Sequence, residues 1–397
     1  MKNMQKKQPI TPQTILPLLF IAGRILLFLA LIPNNLHGFG DFPVYYNVAN
    51  LPGLPYFGSW SEYPPLFAFI IECIYVLSSG NQFLFDFILY LLLTICGAVS
   101  IWLFFELSKT ISADENHLLV INLVYFAFSA FVSYTWWYFD LVTVMLMLWA
   151  IFLLVKEKHS ATGLVLAAGI LAKWFPLLLI PALFKYKSWK VAAKISAIAV
   201  AGVVIVWGAL YLRSPTMTLA SLQSQPSRAS WQTIWALIDG NNRTGEFVPL
   251  EERQWPEAAT FPRGNPARIP SLIPLIIFGA IGLWSLIRYK SKSRQGLLAM
   301  NGITWALFLL WSPGWSPQWI LYLLPIILLT LPPEKGWLIS FLFLLITLIE
   351  WPLLLKHNLY AGLWLVVPLR IFILCMLIFY WSKIIRSSTP EQQLTDL

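Results

Sequence analysis

The sequence is poor in charge, cysteine and histidine. Asp, Glu, Lys and Arg together make up 11% of its 397 residues, against about 25% in a soluble domain. That scarcity excludes an ordinary soluble enzyme and a disordered chain. The three cysteines, Cys73, Cys96 and Cys375, stand singly inside apolar runs. No pair has disulfide, redox or metal spacing, and they read as small apolar packing residues. The four histidines, His37, His117, His159 and His357, are scattered and show no His-Glu-x-x-His arrangement. A Walker loop and a dinucleotide fingerprint are also missing. The net charge of +9 forms no basic arm or face. Lys and Arg sit instead at the ends of apolar runs, as cytoplasmic loop charge does. A nucleic-acid partner is therefore not expected.

What the chain has in abundance is apolar surface. It is 58% hydrophobic, with a mean hydropathy of +0.70. A membrane helix takes about 20 mainly apolar residues. Such segments fall at 13–33, 64–79, 83–106, 117–134, 138–155, 161–184, 190–212, 271–287, 296–311, 318–331, 336–355 and 360–382. Lipid obliges a chain to satisfy its backbone groups internally, so they are read as helices. The expected fold is an all-α polytopic membrane protein, one domain over 1–397 with about twelve spans of membrane-helix length. The apolar run after Lys2, Lys6 and Lys7 carries Arg24 and lacks a clear cleavage site, so it reads as a retained first helix. Those lysines, with Lys383 and Arg386, place both termini in the cytoplasm. Lys185, Lys187 and Lys190 mark a further cytoplasmic loop, as do Arg288, Lys290, Lys292 and Arg294. Simple alternation then puts Lys156-Glu157-Lys158-His159 outside and Trp136–Asp140 inside, the reverse of what the charge rule prefers. Either 64–79 or 161–184 is re-entrant, or this loop is an exception. Segment 161–184 is interrupted by Lys173 and Pro176.

Two external loops stand out. The first, 34–63, holds only two acids, Asp41 and Glu62, among Tyr45, Tyr46, Tyr63 and several prolines. An Asp ringed by aromatics at a membrane surface is partly desolvated, which raises its basicity as a general base requires. The tyrosines offer hydroxyls and flat faces to a sugar ring. An interfacial aromatic belt would have the same composition. The second loop, 213–270, carries Arg213, Arg228, Arg243, Arg253, Arg263 and Arg268 against Asp239, Glu246, Glu251, Glu252 and Glu257. Loops of this length are commonly functional. Asp140 follows an aromatic cluster and opens an apolar helix, where it either caps that helix or adds a second polar group to a cleft. Lys173 is a cation inside an apolar run, costly enough to imply a partner. That partner is a bound phosphate or Asp140, with snorkelling to an interface as the alternative. Glu350 lies near the outer end of its helix, within reach of a cleft. Arg24 is expected to pair within the bundle.

Three stretches carry a family resemblance. Asp41 followed by Tyr45-Tyr46, Pro55-Tyr56 and Tyr63-Pro64-Pro65-Leu66 resembles the first external loop of GT-C glycosyltransferases. The likeness is nearest to glycosyltransferase family 87 and the glycosylphosphatidylinositol mannosyltransferases. Gly163, Gly169-Ile170-Leu171-Ala172-Lys173-Trp174-Phe175-Pro176 and Pro181 are similar to the family's Gly…Ala-x-x-x-Lys-x-x-Pro…Pro segment. Trp311-Ser312-Pro313-Gly314-Trp315-Ser316-Pro317-Gln318-Trp319 resembles its Ser-Pro-Gln-aromatic loop. The resemblance implies a GT-C-like bundle and transfer of a sugar, mannose foremost, from a polyprenyl-phosphate donor to a lipid or glycan acceptor. Transfer would take place on the outer face of a bacterial plasma membrane, with inversion. It implies Asp41 as base, with Ser316 and Gln318 at the phosphate or sugar. Several family members carry Asp-x-Asp where this chain has Asp41-Phe42-Pro43, so no metal and no other cofactor is expected. A lipid or sugar transporter without chemistry is the alternative. It fits less well, because polar residues concentrate in the external loops and no internal repeat is visible.

Overall fold

A computed structural model describes residues 11–31, 40–242, 245, 248–261, 263–289 and 292–387. His37, Arg243, Glu246, Lys290 and the three lysines of the N-terminus lie outside the described residues, as does the first part of loop 34–63. The described chain is helical throughout and forms no strand. Its helices are α1 (Pro12–Leu31), α2 (Phe42–Ala49), α3 (Pro65–Leu77), α4 (Gln82–Ser108), α5 (Glu115–Phe131), α6 (Tyr134–Trp137), α7 (Asp140–Val155), α8 (His159–Ala172), α9 (Ile180–Tyr186), α10 (Trp189–Arg213), α11 (Pro215–Ser224), α12 (Ile234–Asp239), α13 (Leu272–Arg288), α14 (Arg294–Trp311), α15 (Ile320–Thr330), α16 (Pro333–Leu348) and α17 (Leu363–Ser387). Short 3-10 turns lie between some of them, and a π-helical turn, Ile349–Leu354, prolongs α16. Among the described residues, five helical stretches are long and apolar enough to cross a membrane: Pro12–Ala30, Gln82–Ser108, Trp189–Arg213, Pro333–Leu354 and Tyr360–Ser387. Shorter apolar helices accompany them. The outward faces are apolar too, with Leu26 on α1, Ile205 on α10, Ile276 on α13 and Phe372 on α17 exposed, as lipid contact requires.

The bundle has two chemically distinct ends. At one, Lys109 donates to Gln13 at the start of α1 (2.7 Å), Arg294 to the Thr110 carbonyl (3.1 Å), and Arg386 to the Tyr289 hydroxyl (3.2 Å). Lys187 pairs with Glu157 at this end as well. The other end holds Asp41, α2, α3 and the long loop before α13.

Two of the expected spans change character. Segment 64–79 does not travel between the ends. Phe67 near the start of α3 packs on Tyr45, ring centres 5.0 Å apart, and Tyr75 near its end bonds Asn50 (2.5 Å). Both ends of α3 therefore stay against the eight-residue α2. Segment 161–184 is two legs. Helix α8 stops at Ala172, Lys173 is extended, and Phe175–Leu179 and α9 lead back to the Glu157–Lys187 pair. With α3 out of the alternation and 161–184 counted twice, Lys156–Lys158 joins the basic end and Trp136–Asp140 joins the end that holds Asp41. The charge conflict in the sequence disappears.

Candidate active site

Gly40 has φ +57°, and a Cβ there would lie 2.4 Å from that of Trp137. The left-handed turn and the close approach both require glycine. Together they set Asp41 against the segment leading into α7. Asp41 precedes α2 without capping it. Its Oδ2 instead accepts from the Tyr45 hydroxyl (3.2 Å), whose oxygen accepts from the Phe139 backbone N–H (3.3 Å). Tyr45 is fully buried within a box of Tyr63, Phe67 and Phe139. Phe67 and Phe139 stack at 3.8 Å.

Asp140 is the first residue of α7 and makes no capping bond. Its carboxylate is 1% exposed and meets Lys173 Nζ at 2.6 Å. The same Oδ1 accepts from the Tyr322 hydroxyl (3.0 Å), and Oδ2 has no hydrogen-bond partner among the described residues. Of the two roles open to Asp140 and the partners open to Lys173, the structure thus pairs them with each other. Lys173 lies over the rings of Phe139, Phe175 and Trp319, at 4.9, 5.1 and 5.8 Å. Part of its side chain, 17%, stays exposed.

Asp41 is half-buried. Burial, with the negative charge of Asp140 next in importance, raises its pKa to about 7, against the opposing pull of Lys173 and Tyr45. A carboxyl poised near neutrality suits proton abstraction at physiological pH. Burial pushes Tyr45, Tyr63 and Tyr138 well above the usual tyrosine range, and Asp41 adds to each shift. These hydroxyls remain protonated. Arg228 is lowered by burial to about 10 while Glu62, Tyr63 and Asp41 favour its charge, so it remains a cation at pH 7.

The second loop closes over this cluster. Glu62 forms a buried ion pair with Arg253, one contact being 2.9 Å. The Trp60 N–H bonds the Arg253 carbonyl (3.0 Å), and Ser61 N–H bonds Ser221 Oγ (2.9 Å). Further on, Trp231 N–H bonds the Pro313 carbonyl and its own carbonyl accepts from Trp315 N–H (3.0 and 3.1 Å). Gly314 lies under the Trp231 indole, where a Cβ would be 2.1 Å from the ring. Gly314→Ala is expected to lower stability by about 1–3 kcal/mol through overpacking. It should also free the loop from the bundle, seen as faster proteolysis within 225–270.

The expected site residues divide. Asp41, Tyr45, Tyr63, Asp140 and Lys173 gather in one cluster. Glu62 borders it as the pin between the loops. Ser316 accepts a long bond from Trp231 Nε1 (3.4 Å), and Gln318 is half-buried on the turn that carries Trp319. Tyr46 points the other way, donating to the Gly80 carbonyl (2.7 Å) and packing on Tyr75 and Phe85. Glu350 is buried in a pair with Arg370, which also bonds the Gln232 carbonyl. Arg24 is buried on the Ser129 carbonyl and Thr135 hydroxyl, beside Phe20 and Trp136. Sequence reasoning did not single out Tyr322, Arg228, Arg253 or Arg370, and Trp319 entered it only as the aromatic of the Ser-Pro-Gln-aromatic stretch. A hydroxyl in the apolar run 320–330 was the one signal for Tyr322, and the two loop arginines stood among six.

A helical membrane bundle that roofs a buried acid–cation cluster with an interlocked loop is the class these features define. The chain matches the model of glycosyltransferase family 87 over residues 60–313. It belongs to that family and is a membrane glycosyltransferase. No curated protein matches it. Glu62, Tyr63, Asp140 and Lys173 fall within the matched stretch, whereas Asp41, Ser316, Gln318 and Glu350 lie outside it.

Proposed function

We propose that the chain transfers a sugar, mannose foremost, from a polyprenyl-phosphate donor to a lipid or glycan acceptor, with inversion and with Asp41 as general base. The acceptor hydroxyl attacks the anomeric carbon, its proton passes to an Asp41 oxygen, and the bond from carbon to phosphate oxygen breaks. The leaving polyprenyl phosphate gathers negative charge, which a preorganised cation stabilises. Lys173 is that cation. Asp140, itself bonded by the Tyr322 hydroxyl, holds that ammonium in place before substrate arrives. Arg228 adds positive potential from the loop side.

One arrangement supports this reading: Asp41, held by the Tyr45 hydroxyl, and the buried Asp140–Lys173 pair gather at one end of the bundle, beside the long second loop. The basic residues at the opposite end favour a cytoplasmic location for that end. The site then faces the outside of the membrane, which for a bacterial chain is the plasma membrane. Counting α8 and the leg through α9 separately, and leaving out α3, gives an even number of passages, with both termini cytoplasmic.

The test is transfer of label by the detergent-purified protein from radiolabelled polyprenyl-phosphate-mannose, with lipid-linked glucose, arabinose and aminoarabinose in parallel. Transfer from the mannosyl donor is the expected result. Transfer from another donor alone corrects the sugar, and no transfer across the panel favours a transporter. The second acid of an Asp-x-Asp pair is absent, and no three His, Cys, Asp or Glu residues gather as a metal site among the described residues. EDTA is therefore expected to leave the rate unchanged. Loss of activity on chelation, restored by Mg²⁺ or Mn²⁺, contradicts this.

A further inference from the structure

We infer that Tyr45 is the positioning residue of the base: its hydroxyl relays the N-terminal backbone of α7 to Asp41 and holds the carboxylate in its ionised, oriented state. This deepens the reading of Asp41 and rests on it. The direction of the relay follows from the donors. The Phe139 N–H can only donate, so the Tyr45 oxygen accepts there (3.3 Å). The hydroxyl proton is then left for Asp41 Oδ2 (3.2 Å), where a charged acceptor strengthens the bond. Phe139 precedes the first turn of α7. Its N–H is among those a helix leaves without an internal partner, at the positive end of the helix dipole. Tyr45 carries that polarity across to a carboxylate that Phe139 itself does not bond.

The ring has no freedom to do otherwise. It is 0% exposed, with Phe67 edge-on at 5.0 Å, Tyr63 at 5.7 Å and Phe139 at 6.0 Å. A residue so enclosed does not touch a sugar, and its work is done through Asp41. The groups facing Asp41 pull in both directions. Glu62 and Asp140 oppose its ionisation, and Lys173 favours it. Tyr63 stands beside it in the first loop, Tyr138 before α7, and Arg228 in the second loop. Among these, the hydroxyl of Tyr45 donates a hydrogen bond directly to Asp41.

The test titrates Asp41 itself and needs no substrate. Infrared pH-difference spectra of the purified full-length protein, with Asp41→Asn as the blank, give the midpoint of the Asp41 carboxyl band. Tyr45→Phe keeps the ring and removes the relay. A hydrogen bond to a charged group corresponds to roughly one pH unit, so the midpoint is expected to rise by about that much. A merely packing role moves nothing, and an unchanged midpoint in Tyr45→Phe overturns the inference. If that variant fails to fold, 3-fluorotyrosine placed at position 45 keeps the fold and sharpens the donor. It should lower the midpoint, and an unmoved midpoint again overturns the relay. The transfer assay is separate. A shifted midpoint with no transfer from any donor sinks the proposed reaction and leaves the relay standing. Transfer with an unshifted midpoint does the opposite.

Discussion

Asp41→Asn is expected to lower turnover by about 10²–10⁴-fold, the usual worth of a positioned general base, with little change in KM for the donor. The amide keeps the shape and the bond from Tyr45 but takes up no proton. The same substitution should make the protein more heat-resistant at pH 8. Asp41 titrates at about 7 in the fold, raised from 3.8 by burial first and by Asp140 second. A carboxyl with a raised folded pKa weighs against the fold wherever it is ionised. Stability is therefore gained as pH falls through about 7 toward the unfolded value, and the neutral amide removes the penalty above 7. Steady-state rates and melting midpoints from pH 5 to 9 check both parts. The wild-type rate should fall about tenfold per pH unit below 7 as the base is protonated. A variant that is inactive and less stable at pH 8 would mark Asp41 as a structural acid.

The second large effect concerns the cation. Lys173→Met leaves the Asp140 carboxylate, 1% exposed, with Tyr322 alone. Breaking one side of a buried pair costs about 3–5 kcal/mol, so the melting midpoint should drop sharply. The double variant Lys173→Met with Asp140→Asn removes both charges. It is expected to recover most of that stability, because a neutral pair has no charge to desolvate. Transfer should stay depressed by about 10²-fold or more, the loss typical when one preorganised charge stabiliser is removed. Thermal melting and label transfer on the same preparations separate the two roles. Near wild-type transfer in the double variant would make the pair purely structural.

The legible parts of this molecule were those with a local signature. Long apolar runs revealed the helical bundle. Asp41 stood out as one of two acids in an aromatic loop, and Lys173 as a cation inside an apolar run. The interruption at Lys173 and Pro176 correctly marked a place where the chain turns. Segment 64–79 read either as a span or as a re-entrant piece, because a thirteen-residue helix packed on α2 is as apolar as a span and length alone separates them poorly. The contacts that shape the site have no local signature at all. Glu62 meets Arg253 across 191 residues, and Tyr322 reaches Asp140 across 182. Glu62 and Asp140 stood out in the sequence, but their partners Arg253 and Tyr322 are unremarkable until folding brings them together. Tyr45 and Tyr46 are indistinguishable in sequence. On an eight-residue helix, one turns toward Asp41 and the other toward Tyr75 and Phe85.

The most direct test of the account is a single-turnover experiment on purified wild-type protein and Asp41→Asn. Each is loaded with radiolabelled polyprenyl-phosphate-mannose and then mixed with extracted membrane lipid as acceptor. The account predicts that both proteins retain the donor and only the wild type moves label into acceptor. Equal transfer by the two proteins would contradict it.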